Sequence, residues 1–129
     1  MARQNISSGA PWEEVVGYSR AVKVGPHLHV SGTTAVDDSG EVVGRGDAYV
    51  QASYILQKIA AALAEGGATL SQVVRTRMYL TNVGNWEAVG RAHGEVFGDI
   101  RPASTLLEVS ALITKDLLVE IEVDAYLGD

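Results

Sequence analysis

The feature that most constrains this chain is a two-residue alternation in the segment VEIEVDAY, at positions 119–126. Successive side chains of a β-strand point to opposite faces, so the pattern predicts a strand, placed at Leu117 to Tyr126, with one apolar and one charged face. The apolar face comprises Val119, Ile121, Val123 and Ala125, and the other face Leu118, Glu120, Glu122 and Asp124. The chain therefore needs helices to cover one side of a β-sheet.

Four more segments are β-prone. Ser19 to Val24 and His27 to Ser31 alternate on either side of Gly25-Pro26, which predicts a hairpin. Gln72 to Leu80 and Ser104 to Val109 predict two further strands. Strict alternation in the first of these places Val74, Thr76, Met78 and Leu80 on the apolar side and Val73, Arg75, Arg77 and Tyr79 on the polar side.

Two segments have the period of amphipathic helices. The first begins after a capping Asp47 and runs to about Glu65, before Gly66-Gly67. Its apolar stripe is Ala52, Ile55, Leu56, Ile59 and Leu63, and its solvent stripe is Gln51, Tyr54, Lys58 and Glu65. The second runs from Trp86 to Phe97 after a capping Asn85. The element order ββαβαββ predicts an α+β fold, a mixed sheet with two helices on one face, and 129 residues fit one domain, 1–129.

The polar face of this sheet has two interpretations. It is either a solvated face, as antiparallel sheets often have, or a subunit interface with a polar cleft. Leu106, Leu118 and Tyr79 lie among its charges and favour the interface, where Arg75 or Arg77 would pair with acids of neighbouring strands.

Composition excludes several classes of function. The formal charge of −6 disfavours nucleic acids and anionic membranes as partners, and no window is apolar enough for a membrane span. There is no cysteine, so thiol catalysis and thiolate metal sites are absent. We expect a cytoplasmic protein without a metal, since His27 and His29 share a strand face but no third ligand is evident.

Individual motifs give weaker signals. His93 lies on the inner stripe of the second helix, where a packing or interface histidine is the default and proton transfer the alternative. Arg101-Pro102-Ala103 is a rigid start to the fourth strand that can also carry ligand contacts. Trp12 and Trp86 are expected to pack or to lie in interfaces.

Four motifs together resemble the RidA/YjgF family of reactive enamine and imine deaminases. They are Gly17-Tyr18-Ser19, Val30-Ser31-Gly32, Arg101-Pro102-Ala103-Ser104 and Val119-Glu120-Ile121-Glu122. The resemblance covers the chain from about Gly17 to Tyr126. It implies a chorismate-mutase-like fold in a homotrimer, with the sheets forming a central barrel and small-molecule sites in the clefts between subunits. It also implies hydrolysis of 2-enamine or 2-imine acids to 2-keto acids and ammonia without a cofactor.

The resemblance also implies roles for particular residues. Tyr18 matches a pocket tyrosine, Ser31 and Gly32 match a substrate-binding segment, and Glu120 matches the acid that positions water. The family's carboxylate-binding arginine is expected directly after Pro102-Ala103, where this chain has Ser104. The chain therefore resembles an arginine-lacking branch.

Two other arginines are candidates to bind the substrate. Arg77, on the polar face, is the preferred anion anchor, and Arg101 is the second candidate. Three functions follow as hypotheses: a hydrolytic deaminase with a different substrate, a non-catalytic trimer that binds or senses a small ligand, and a ribonuclease or translation inhibitor, which the acidic charge disfavours.

Overall fold

A computed structural model describes residues 2–128. The strands are β1 (Arg3–Ile6), β2 (Ala21–Val24), β3 (His27–Thr33), β4 (Val73–Leu80), β5 (Ala103–Glu108) and β6 (Val119–Tyr126). The helices are α1 (Pro11–Val16), α2 (Ala48–Glu65) and α3 (Trp86–Phe97). The α+β class and the two main helices are confirmed, whereas β1 and α1 were not predicted.

The six strands form one mixed sheet in the order β1-β2-β3-β6-β4-β5. All neighbouring strands are antiparallel except β4 and β5, which are parallel and joined through α3. The chorismate-mutase-like architecture therefore has β6 near its centre, between β3 and β4. This position explains the regular alternation of β6, because a strand with two neighbours and one covered face must bury every second side chain.

The core lies between the sheet and helices α2 and α3. From β6, Val119, Ile121, Val123 and Ala125 are all buried, as the alternation predicts. Ile55, Ile59 and Leu63 of α2 face them and are fully buried. Asp47 caps α2 by accepting a hydrogen bond from the backbone N–H of Val50, at 3.1 Å.

The predicted faces of Val73 and Val74 are wrong. Val73 is buried and Val74 is exposed, because the register between β4 and β6 shifts between Val73 and Arg75. One extra residue in a strand reverses the alternation on one side of the bulge. From Thr76 onward the prediction is confirmed, with Thr76, Met78 and Leu80 buried.

Two helix details also differ from the prediction. Gln51 is fully buried instead of solvent-facing, and its amide bonds the backbone of Gly44, Asp116 and Leu118 at 3.2, 2.8 and 2.9 Å. Asn85 makes no capping bond to α3. A short 3₁₀ turn, Val83–Asn85, precedes the helix, and Asn82 caps that turn at the N–H of Gly84, at 2.8 Å.

Within residues 2–128, no helix has both the length and the apolar character that crossing a bilayer requires.

Candidate active site

The site is built around a β-bulge at Ser31 and Gly32 in β3. Val30 pairs with Val123 and Thr33 pairs with Ile121, so two residues of β3 stand opposite one residue of β6. A β-carbon added to Gly32 would overlap Oε2 of Glu120, so only glycine leaves room for the carboxylate in this position. The bulge thus brings the Glu120 carboxylate directly against the backbone of β3.

The environment of Glu120 favours its protonated form. Partial burial raises the pKa of Glu120; the Arg20 guanidinium opposes the rise, and the nearby Glu122 carboxylate adds to it. A raised pKa makes a carboxyl group a better proton acceptor when ionised and keeps it protonated to higher pH. Glu120 is therefore suited to acid–base chemistry.

Arg20 is the cation of this site, a role that was not predicted from the sequence. Its Nη2 donates to the carbonyl oxygen of Gly32 at 2.7 Å, and its buried Nε has no partner within residues 2–128. The sequence does contain information that places Arg20 in the site, because pairing across the Gly25-Pro26 turn puts Arg20 opposite Ser31. The hairpin register and the Ser31 N–H bond to the Arg20 carbonyl oxygen, at 3.0 Å, show this pairing.

Tyr18 and Ser31 lie on either side of Arg20. The Tyr18 ring is partly exposed, and its centroid is 6.0 Å from Cζ of Arg20. Gly17, at φ 89°, ends α1 and turns the chain toward Tyr18, whose N–H donates to the Glu13 carbonyl oxygen at 2.9 Å. The Ser31 hydroxyl donates to the Ser19 carbonyl oxygen at 2.6 Å, so its proton is used inside the chain. Arg20 thus joins residues 18, 31, 32 and 120 into one cluster.

Glu13 is a second acid near Arg20 and so adjoins the cluster. Ser7 Oγ and Ser8 N donate to its carboxylate at 2.9 and 3.2 Å. Burial alone would raise the pKa of Glu13, but the hydrogen bonds from Ser8 and Ser7, with the charge of Arg20, lower it overall. Glu13 is therefore held as a carboxylate, and Arg20 faces two acids.

Ser104 lies on the opposite face of the sheet from Glu120. It is the register partner of Thr76, whose hydroxyl donates to Ser104 Oγ at 2.8 Å on the helix-covered side. Glu120 pairs with Tyr79 and lies on the other side. Within one chain, Ser104 and Glu120 do not share a cavity.

The two candidate arginines lie outside the Glu120 cluster. Arg77 Nη1 contacts Asp124 Oδ2 at 3.2 Å, and the same carboxylate contacts His29 Nδ1 at 2.7 Å. Arg101 has φ 56° and follows the turn after α3, and its Nε donates to the Gly98 carbonyl oxygen at 3.1 Å. In the isolated chain both are engaged by neighbouring groups of their own.

His93 lies on the helix side, near Ser104. Its Nε2 is 2.9 Å from the hydroxyl of Thr76, and its ring packs on Phe97 with 4.7 Å between centroids. Burial lowers the pKa of His93, so the imidazole is neutral at pH 7.

Comparison with known proteins places the chain among close relatives. The family model described as Endoribonuclease L-PSP matches residues 9–127. An uncharacterized protein of Streptomyces coelicolor is 42% identical over 128 residues, which cover 98% of this chain and 94% of that protein. The 3-aminoacrylate deaminase RutC of Acinetobacter baylyi is 31% identical over 104 residues, which cover 81% of this chain and 82% of that protein.

A solved structure agrees with the fold. The Mycobacterium tuberculosis member of the YjgF/YER057c/UK114 family is 47% identical and superposes with a TM-score of 0.88. The match covers 97% of this chain and 99% of that one.

Proposed function

The chain belongs to the family of Endoribonuclease L-PSP and YjgF/YER057c/UK114 proteins, and from this premise we propose that it is a hydrolytic deaminase of small reactive enamines or imines. The supporting observation is the Glu120 carboxyl group, which is held against Gly32 with a raised pKa beside Arg20. A relative named as a 3-aminoacrylate deaminase supports the same reaction class.

The chemistry needs one group that exchanges protons. Water adds to the carbon of the C=N bond, and Glu120 takes one proton from that water as the C–O bond forms. Protonated Glu120 returns that proton to the former imine nitrogen, which gives a carbinolamine. Glu120 then passes the hydroxyl proton of the carbinolamine to the same nitrogen, the C–N bond breaks, and ammonia leaves as the carbonyl forms. For an enamine, protonated Glu120 first delivers a proton to the β-carbon and takes one from the nitrogen, which gives the imine. The charge of Arg20 opposes the rise in the pKa of Glu120 and so favours the ionised form of that carboxyl group.

We place the complete site between subunits of a homotrimer, which the family implies. Each chain carries Glu120 on one face of its sheet and Ser104 on the other, so a site that contains both residues needs two copies of the chain. Light scattering on purified protein is expected to give the mass of three chains of 13.7 kDa each. A monomer that retains full turnover would contradict this placement.

We further propose that the chain belongs to an arginine-lacking branch, because Ser104 stands where the resemblance places the arginine. A serine cannot form the bidentate, charge-assisted bonds that an arginine forms with a carboxylate. The substrate is therefore expected to differ from a simple 2-imino acid, or to be bound in another way.

The test is ammonia release from freshly generated 2-iminopropionate and from uncharged imines such as its amide. Glu120→Gln is expected to lower kcat at least 100-fold, which is the scale of a lost general acid–base. Glu122→Gln is the matched control, because Glu122 lies on the same strand and face, and it is expected to change kcat less than about threefold. No turnover above the Glu120→Gln background on any imine defeats the proposal.

A non-catalytic binding role is the second candidate, and the loss of the family arginine at Ser104 favours it. Metabolites would then raise the melting temperature without being consumed. Ribonuclease activity, which the family model's description suggests, is disfavoured by the net charge of −6.

A further inference from the structure

Three side chains form a continuous hydrogen-bonded chain from α3 to the edge strand β5. His93 Nε2 lies 2.9 Å from Thr76 Oγ1, and Thr76 Oγ1 lies 2.8 Å from Ser104 Oγ. Thr76 is fully buried, the ring of His93 packs against the buried Phe97, and Ser104 is exposed. The three hydrogen-bonded side chains thus run from the interior to the surface.

The direction of these hydrogen bonds follows from the number of protons that the Thr76 hydroxyl can donate. Thr76 has one hydroxyl proton and donates it to Ser104. Its oxygen must therefore accept from His93, which requires a proton on Nε2 of the imidazole. The Ser104 hydroxyl proton is left free to point outward. Each bond in such a chain polarises the next, so Ser104 becomes a stronger donor than an isolated serine.

We propose that the relay of His93, Thr76 and Ser104 makes the Ser104 hydroxyl the donor for an uncharged carbonyl oxygen of the substrate. The inference rests on the proposed function and adds to it the recognition group and the substrate class. The preferred reactant is a small imine or enamine that carries an amide or ester carbonyl in place of a free carboxylate.

The surrounding charges support an uncharged acceptor. Of the arginines near this end of α3, Arg101 bonds the Gly98 carbonyl oxygen, and Arg91 lies over the Tyr49 ring at 4.1 Å. On the other face, the charge of Arg20 favours the ionised forms of two nearby acids, Glu13 and Glu120. A single hydroxyl donor suits one neutral oxygen, whereas a carboxylate is held by two charge-assisted bonds.

The competing explanation is that Thr76 and His93 only satisfy each other's hydrogen-bonding groups inside the fold. A double-mutant cycle separates the two, because Thr76→Val keeps the shape of the side chain but breaks the relay. In the wild-type background, Thr76→Val is expected to raise KM for 2-iminopropionamide about threefold, and Ser104→Ala is expected to raise it about tenfold. In the Ser104→Ala background, Thr76→Val is expected to leave KM unchanged, because the donor it polarises is already gone.

Further variants sharpen the cycle. Thr76→Ser keeps the hydroxyl and is expected to restore the wild-type KM, while kcat changes little in all of these variants. The KM for 2-iminopropionate is expected to respond less than the KM for the amide. Equal effects of Thr76→Val in both backgrounds would show a purely structural role and overturn the proposal.

A spectroscopic test does not depend on turnover. The ¹⁵N spectrum of His93 is expected to show a neutral ring with its proton on Nε2, and a proton on Nδ1 instead would overturn the relay. If no imine is hydrolysed, the proposed function fails, and binding is followed by the amide resonances of Ser104 and Thr105 with pyruvamide and pyruvate as probes. Preference for pyruvamide supports the inference; preference for pyruvate, or no binding of either, overturns it.

Discussion

Gly32 and Glu120 occupy adjoining space so closely that any other residue type at position 32 requires the Glu120 carboxylate to move. A β-carbon there would overlap the Oε2 atom of the Glu120 carboxylate. The bulge that creates this approach also turns Thr33 into the core, where it is buried. One local irregularity therefore both anchors β3 and positions the acid of the candidate site.

Gly32→Ala is expected to displace the Glu120 side chain and lower turnover of an imine substrate at least tenfold. The cause is steric, since the added methyl group and the carboxylate cannot occupy the same volume. Steady-state kinetics with 2-iminopropionate and its amide measures the loss.

Gly90→Ala is the matched control for that substitution. Gly90 lies within α3, and a β-carbon there meets nothing within 4 Å. Alanine is favoured over glycine inside a helix by about 0.5–1 kcal/mol, so the control is expected to be slightly more stable and fully active. Equal activity of the two variants would contradict the role assigned to Gly32.

Glu120→Gln is expected to stabilise the protein at neutral pH. The pKa of Glu120 is raised on folding, chiefly by burial, so the folded state loses stability as pH rises from the unfolded pKa, about 4.3, through the folded one. Glutamine has no charge to bury. The difference in melting temperature between variant and wild type is therefore expected to be positive at pH 8 and to vanish below about pH 4.

The difference in melting temperature between Glu122→Gln and the wild type, measured over the same pH range, provides a control on the same face of β6. A difference for Glu120→Gln that is negative at pH 8 would show that the carboxylate stabilises the fold, and a difference that does not depend on pH would show that folding leaves the pKa of Glu120 unshifted. The site would then lack the partly buried acid with a raised pKa on which the proposed chemistry depends.

Period-two patterning was sufficient for most of the fold. The burial of Val119, Ile121, Val123 and Ala125 follows from the sequence alone, because strand geometry leaves few alternatives. Val73 and Val74 were misplaced because a bulge has no signature in a single sequence. β1 and α1 were not predicted, since β1 buries only Ile6 and α1 buries only Glu13, so neither has an apolar stripe.

The site was less predictable than the fold. Tyr18, Ser31, Gly32 and Glu120 were identified through their motifs, but their convergence depends on a bulge and on Arg20. Arg20 resembles an ordinary surface residue until the hairpin register is drawn. The link from Ser104 to His93 depends on the parallel pairing of β4 with β5, and residue types do not reveal that pairing.

Gln51→Leu is expected to destabilise the fold by about 1–3 kcal/mol. The Gln51 amide is fully buried and bonds three backbone groups, so leucine would leave the Leu118 N–H and the Asp116 carbonyl oxygen without partners. Gln57→Leu is the control, because Gln57 is exposed on the same helix and its replacement is expected to cost less than about 0.5 kcal/mol. Urea denaturation measures both, and equal midpoints would show that the Gln51 bonds contribute nothing.

Arg101→Gly tests whether Arg101 binds substrate or only stabilises the turn that follows α3. The backbone at Arg101 has φ 56°, a conformation that glycine adopts without strain, so the substitution is expected to change the free energy of unfolding by less than about 1 kcal/mol. If the guanidinium only bonds the Gly98 carbonyl oxygen, KM and kcat stay within twofold of the wild type. If it reaches the substrate across a subunit boundary, KM for an anionic imine rises at least tenfold while the KM for the amide does not, because only the anion gains from a charge-assisted bond. Kinetics on the paired substrates separates the two roles, and the structure leads us to expect the first.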